Sequence, residues 1–177
     1  YRHSSIKDKA LISLSRHFGG IDFSSQELNF DYTDYYEQEL GKPLKRMFIS
    51  LKQLLAQDCL ADIKLYTNKL EERFNLKGRR RINIDPGFLS LGKVILATTK
   101  DHNHRIYLGR GIFAEATLFY QAGTFRPWPW TYPDYQTKEY RDIFNTIRKI
   151  LLSQTQTKKN DSSIPKGISR RKPAGKI

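Results

Sequence analysis

From Lys7 to Phe18 the apolar residues Ala10, Leu11, Leu14 and Phe18 recur at helical spacing, and Gly19-Gly20 supplies a stop in the left-handed backbone region. The period then shortens to two. Leu28, Phe30 and Tyr32 alternate with Glu27, Asn29 and Asp31, which predicts a strand with one wet face. It runs into an acidic and aromatic segment, Asp31 to Glu37, and Gly41-Lys42-Pro43 breaks whatever follows. Residues 46–55 fit either a strand or a helix. A clear helical stripe returns at Leu60, Ile63, Thr67, Leu70 and Phe74, with Asp58 as its expected N-cap and Gly78 ending the segment.

Beyond that helix Arg79-Arg80-Arg81 leads into a predicted short strand, Ile82 to Ile84, closed by a Pro86-Gly87 turn. Ser90 is the expected cap of a second helix carrying Leu91, Val94, Ile95 and Thr98. A meander follows. It comprises Arg105 to Leu108, a Gly109-Arg110-Gly111 turn, a strand with Ile112, Ala114, Ala116, Leu118 and Tyr120 on one face, and an Ala122-Gly123 turn into Phe125 to Trp128. Pro127, Pro129 and Pro133 lack amide donors, so this stretch is expected as an extended strap rather than helix or central strand. Thr137 then caps a last helix whose Tyr140, Ile143, Phe144, Ile147, Ile150 and Leu151 form one apolar face. After Ser153 the periodicity stops, and the segment from Gln154 reads as a disordered basic tail. Interleaved helices and strands, then clustered strands, predict one α+β domain over residues 1–153. Its sheet is expected to be mixed, partly antiparallel and packed against helices.

Charge adds a bias toward anionic partners. The net charge is +13, and from Gln154 onward seven basic residues face Asp161 alone, so the tail carries +6 and the remainder +7. Cys59 is the only cysteine, which rules out an intramolecular disulfide and suits a reducing compartment. No run of 18 apolar residues and no charged-then-apolar leader is present, so the expected location is cytoplasmic, with no membrane partner.

The candidate chemistry concentrates between Arg79 and Arg105. Gly87-Phe88-Leu89-Ser90-Leu91-Gly92-Lys93 fits the first positions of a phosphate-binding loop, but Val94 stands where a magnesium-binding hydroxyl belongs, and Phe88, Leu89 and Leu91 crowd the loop. It reads as a decoy. Asn68-Lys69-Leu70-Glu71 has the order of a guanine-specificity motif with Glu for Asp, yet it sits inside a helix and upstream of that loop. Zinc is disfavoured because one cysteine and His3, His17, His102 and His104 give no suitable ligand set. Asp31, Asp34, Glu37, Asp85, Asp101 and Glu115 supply the oxygens that magnesium prefers; the alternative reading is solvated acids, with Asp85 and Asp101 in turns or caps. The forked guanidiniums of Arg79 and Arg81 match phosphate oxygens, or else pair with neighbouring acids. His104 beside Arg105 at a strand end is a candidate general base, or a structural hydrogen-bond partner.

Several stretches, in order, carry a resemblance: Phe30-Asp31-Tyr32-Thr33-Asp34-Tyr35-Tyr36-Glu37, Ala61-Asp62-Ile63-Lys64-Leu65-Tyr66-Thr67-Asn68, Gly78 to Gly87, Thr98-Thr99-Lys100-Asp101, His104-Arg105-Ile106-Tyr107-Leu108 and Trp130-Thr131-Tyr132-Pro133-Asp134-Tyr135. From about Ile6 to Arg148 the chain resembles a prokaryotic family catalogued as a domain of unknown function, number forty-four sixteen. The resemblance implies a small cytoplasmic protein with a short apolar strand ahead of the segment matching Tyr1. It carries over no activity, and a GTP-binding label sometimes attached to the family rests on no complete motif in this chain.

Three functions are expected in order of preference. The first is a site for a phosphate-containing, nucleotide-like ligand, formed by Arg79, Arg81, Asn83, Lys100 and Arg105, with Asp85, His104 and Asp101 as catalytic candidates. Asp31, Asp34 and Glu115 are its candidate metal ligands, and magnesium its candidate cofactor. The second is an RNA- or ribonucleoprotein-binding module in which basic surface and exposed Tyr or Trp rings hold the strand. The third is a non-catalytic protein-interaction domain using Trp128 to Tyr135. For the first, the segments around Asp31, Asp85 and His104 are expected to meet in one cleft, with Arg79, Arg81, Asn83 and Asp85 on one strand face and Ile82 and Ile84 toward the core.

Overall fold

Helix α1 (Ser4–Phe18) turns Ile6, Ala10, Leu14 and Phe18 inward, and Gly19 at φ 95° ends it as the sequence predicts. The computed structural model describes residues 1–32 and 40–160, with side chains as far as residue 157. After α1 come β1 (Ile21–Ser24), β2 (Leu28–Asn29), β3 (Lys45–Arg46) and β4 (Ile49–Leu51). They pair antiparallel as β1 with β4 and β2 with β3. Helix α2 (Leu60–Arg73) buries Leu60, Ile63, Thr67 and Leu70, the expected stripe. A 3-10 turn, Gln57–Cys59, precedes it, so Asp58 lies before the helix and makes no side-chain cap. The helix stops at Arg73, ahead of Gly78.

The main sheet is antiparallel, in the order β5 (Gly87–Leu89), β6 (Lys93–Thr98), β8 (Ile112–Gln121), β7 (Arg105–Gly109), and β9 (Thr124–Pro127) also pairs with β8. Because β7 covers β8 from Ile112 to Glu115 and β9 covers it from Leu118 to Gln121, Ala116 and Thr117 lie between the two. Their carbonyls accept from Trp130 Nε1 (3.0 Å) and Thr131 Oγ1 (2.6 Å). The expected extended strap is therefore a turn. The Trp128 amide donates to Thr131 Oγ1 (2.8 Å), and Pro133–Gln136 forms a 3-10 helix where the missing proline donor is no loss.

Helix α3 (Lys138–Asn160) begins with Thr137 Oγ1 accepting the Tyr140 amide at 3.3 Å. It runs past Ser153 to Asn160, so the first seven residues of the expected tail are helical; residues 161–177 lie outside the described part. Helices cover both faces of the sheet. Phe88, Ala97 and Ile112 pack with Leu60 and Ala61 of α2, whereas Leu89, Val94, Leu118 and Phe125 pack with Tyr140, Phe144, Ile147 and Leu151 of α3. A third cluster joins Leu14 and Phe18 of α1 to Leu51 of β4 and to Ile63 and Leu70 of α2. The result is a single α+β domain ending in a strand meander and a helix.

Two further elements differ from expectation. The helix predicted from Ser90 is the hairpin β5–β6, whose turn is closed by the Ser90 amide on the Lys93 carbonyl (2.9 Å). Val94 and Ile95 point to opposite helices, and an apolar run buried on two faces has no period by which to tell strand from helix. The predicted strand Ile82 to Ile84 is irregular, because side chains of α2 bind the Ile84 amide and carbonyl in place of a neighbouring strand. Ile82 nevertheless is buried and Ile84 partly so, as the alternation required.

Candidate functional site

Lys64 and Glu71 lie seven residues apart on α2, hence on one face, and both are buried. Glu71 Oε1 accepts the Ile84 amide at 2.6 Å, and Lys64 Nζ donates to the Ile84 carbonyl at 3.1 Å. These two bonds pin residues 83–85 against the helix. Burial pushes the Glu71 carboxyl above its usual range, while the Ile84 amide and the Lys64 and Arg80 cations pull it back. Asn83 Nδ2 donates to Asp85 Oδ2 (2.7 Å), Lys64 Nζ stands 3.4 Å from Asp85 Oδ1, and Arg80 donates to Asn83 Oδ1 (3.2 Å) and Glu71 Oε2 (3.3 Å).

Asn83 and Asp85 line a cleft of about 110 Å³ with Phe30, Arg46, Phe48 and Tyr135. Arg46 is fixed there from two directions. Its guanidinium lies 4.1 Å from the Phe30 ring centroid and pairs with Asp134 of the 3-10 turn. Burial raises the Tyr135 hydroxyl well above the usual tyrosine range and pushes Tyr140 up to about 12.

A second polar network is centred on Glu115, which is 2% exposed in the middle of β8. Its Oε2 receives Arg105 Nε (2.8 Å) and the Arg105 terminal nitrogen (2.7 Å), and stands 3.2 Å from His104 Nε2. Arg105 also donates to the Lys100 carbonyl (2.9 Å) and to the Tyr132 hydroxyl (2.7 Å), with its side chain 2% exposed. The His104 ring stacks with His102 (5.7 Å) and with Trp130 (5.5 Å), and Trp130 stacks in turn on Trp128 (5.2 Å).

The expected single cleft is thus two places. Asn83 and Asp85 share theirs with Phe30, next to exposed Asp31; Asp34 and Glu37 lie outside the described residues. His104, Arg105 and Glu115 line the other network, where the Arg105 fork is occupied by protein oxygens and Glu115 by the arginine. Asp101 and Lys100 are exposed on the loop before β7. Among the three arginines it is Arg80, not Arg79 or Arg81, that bonds to Asn83; Arg79 sits in a tight turn with Leu76, and Arg81 is half-buried. Of the expected shared face of Arg79, Arg81, Asn83 and Asp85, only Asn83 and Asp85 come together, bonded to each other and lining one cleft. The sequence reading missed Lys64 and Glu71, whose signal was two charges on an otherwise apolar helical face. It also missed Arg46 and Asp134, which meet across 88 residues without any local signal.

Among the described residues no helix is long and apolar enough to cross a membrane, and no three His, Cys, Asp or Glu side chains are grouped to hold a metal ion. The fold and the site define an α+β domain with an antiparallel sheet between helices and a charged cleft beside its second helix. The chain belongs to the family described as Domain of unknown function (DUF4416), whose profile matches residues 1–151. No curated protein and no solved structure matches the chain.

Proposed function

We propose that the cleft of Arg46, Asn83 and Asp85 binds a small phosphate-containing, nucleotide-like ligand in the cytoplasm. The observation that supports this is the placement of a fixed guanidinium, an amide and a carboxylate around one small opening. Arg46 supplies an oriented cation for phosphate oxygens, and Asn83 a neutral partner. Magnesium at such a site is held by one or two carboxylates together with the ligand's own phosphates, a role that fits Asp85; bound there it would neutralise phosphate charge.

Titration with ATP, GTP and pyrophosphate, with and without magnesium, followed by calorimetry, tests the reading. Asp85→Asn, at a partly exposed position, is expected to weaken magnesium-dependent binding about tenfold or more, and Arg46→Lys to weaken binding with or without the metal. Lys93→Ala, at the exposed start of β6, is expected to leave affinity unchanged. Binding that survives both cleft substitutions, or that is lost in Lys93→Ala with the fold intact, would overturn it.

A further inference from the structure

Strand β7 closes the main sheet on one side, and among the described residues no strand pairs beyond it. Hydrogen-bond alternation fixes which groups face its open edge. The Ala97 amide bonds to Pro86 on the β5 side (2.9 Å), so Leu96 and Thr98 turn to β8 and exchange bonds with Glu115 and Phe113. That leaves Ala114 to bond with its β7 partner, Ile106. The Arg105 amide agrees, since it bonds to the His102 carbonyl (2.9 Å) and not to β8. By alternation both the N–H and the C=O of Tyr107 face outward, away from β8.

The side chains along this edge are apolar and meet water. Ile106, Tyr107 and Leu108 are 71%, 60% and 40% exposed, three in succession. Exposed Tyr132 and Trp130 stand beside them, the first bonded to Arg105 and the second stacked on His104. At the other end of the sheet Phe88 and Leu89 of β5 are buried. Edges of soluble sheets are ordinarily guarded by lysine, proline or an outward charge. Here the one charged residue of β7, Arg105, turns inward to Glu115. An apolar edge without such a guard marks a contact surface.

We propose that β7 is a dimerisation edge, pairing antiparallel with β7 of a second copy of this chain about a two-fold axis at Tyr107. The two Tyr107 residues exchange both backbone bonds, Ile106 of each copy faces Leu108 of the other, and the two main sheets become one. Charge selects a second copy over a foreign peptide. Each chain carries +13, so two copies repel over most of their surface and approach best where it is neutral, as it is from Ile106 to Gly109. An acidic peptide would seek exposed cations, and β7 presents none. Geometry selects it too. The register shift between Tyr107 and Gly109 shortens the edge and gives an extended peptide few bonds, whereas in a two-fold pair each off-axis contact occurs twice. The edge shares no residue with the cleft of Arg46, Asn83 and Asp85, so it stands apart from any ligand bound there.

Sedimentation equilibrium of the full chain across the micromolar range tests this. A monomer–dimer equilibrium is expected, and added salt is expected to strengthen it by screening the repulsion between the copies. Ile106→Lys and Leu108→Glu, each at an exposed side chain, are expected to weaken association about tenfold or more with unchanged circular dichroism. Mixing the two variants is expected to restore a dimer, because lysine then faces glutamate in one cross-strand pair and the parent Ile-Leu pair is kept in the other. A chain that stays monomeric throughout, association that salt abolishes as it would for copies bridged by nucleic acid, variants that associate as the parent does, or a mixture that remains monomeric would overturn the proposal.

Discussion

A Cβ built on Gly87 would stand 2.3 Å from the Ile95 carbonyl oxygen and 2.9 Å from the Leu96 side chain. The residue next to Pro86 is thus glycine because two backbones approach closely, not because a turn needs its dihedral freedom. Pro86 itself keeps only its carbonyl for pairing, and that oxygen accepts the Ala97 amide at 2.9 Å. Gly87→Ala is expected to destabilise the protein by about 3 kcal/mol in urea titration, since the obstacle is backbone and cannot swing aside. A loss under about 0.5 kcal/mol would show that β5 can step away from β6. Pro-Gly was legible as punctuation, but the distance that makes glycine necessary belongs to a strand eight residues further on.

At the scale of elements, β7, β8 and the Trp128 to Tyr132 turn are tied through one buried carboxylate. Arg105 on β7 reaches Glu115 on β8 and Tyr132 beyond the turn, and both charged side chains are 2% exposed. Glu115→Ala strands a buried guanidinium and is expected to cost about 3–5 kcal/mol by chemical denaturation, whereas replacing both Glu115 and Arg105 by leucine is expected to cost less. Equal losses in the single and double variants would show that packing, rather than the unpaired charge, dominates. The meander itself was legible, because turn residues and strict alternation mark its strands locally. The role of Glu115 was not, since an acid at a strand position looks the same whether it meets solvent or an arginine ten residues earlier.

Across the whole molecule, Glu27 couples α1 to β3 through Lys7 and Lys45, each at 2.8 Å. Lys45, Lys7 and the Tyr1 hydroxyl hold its carboxyl down at about 2, against an ordinary 4.5. A depressed carboxyl stabilises the fold fully above pH 4.5, and that contribution is lost as pH falls through the interval toward 2. Glu27→Gln is therefore expected to lower stability by about 1 kcal/mol at pH 7, with the difference from the parent shrinking below pH 4.5 and gone near pH 2. Superimposable denaturation curves at pH 7 would show that the pair contributes nothing. By itself, the sequence determined α1, α2, α3 and the meander, because each buries one face and so writes a period of 3.6 or 2 into its own residues. Only the tertiary structure decided that Ser90 opens a hairpin turn, because burial on two faces erases the period. It alone also selected Arg80 over its neighbours and parted Asp85 from His104, because those outcomes depend on α2 and on the 3-10 turn at Asp134, whose contacts no spacing within one segment records.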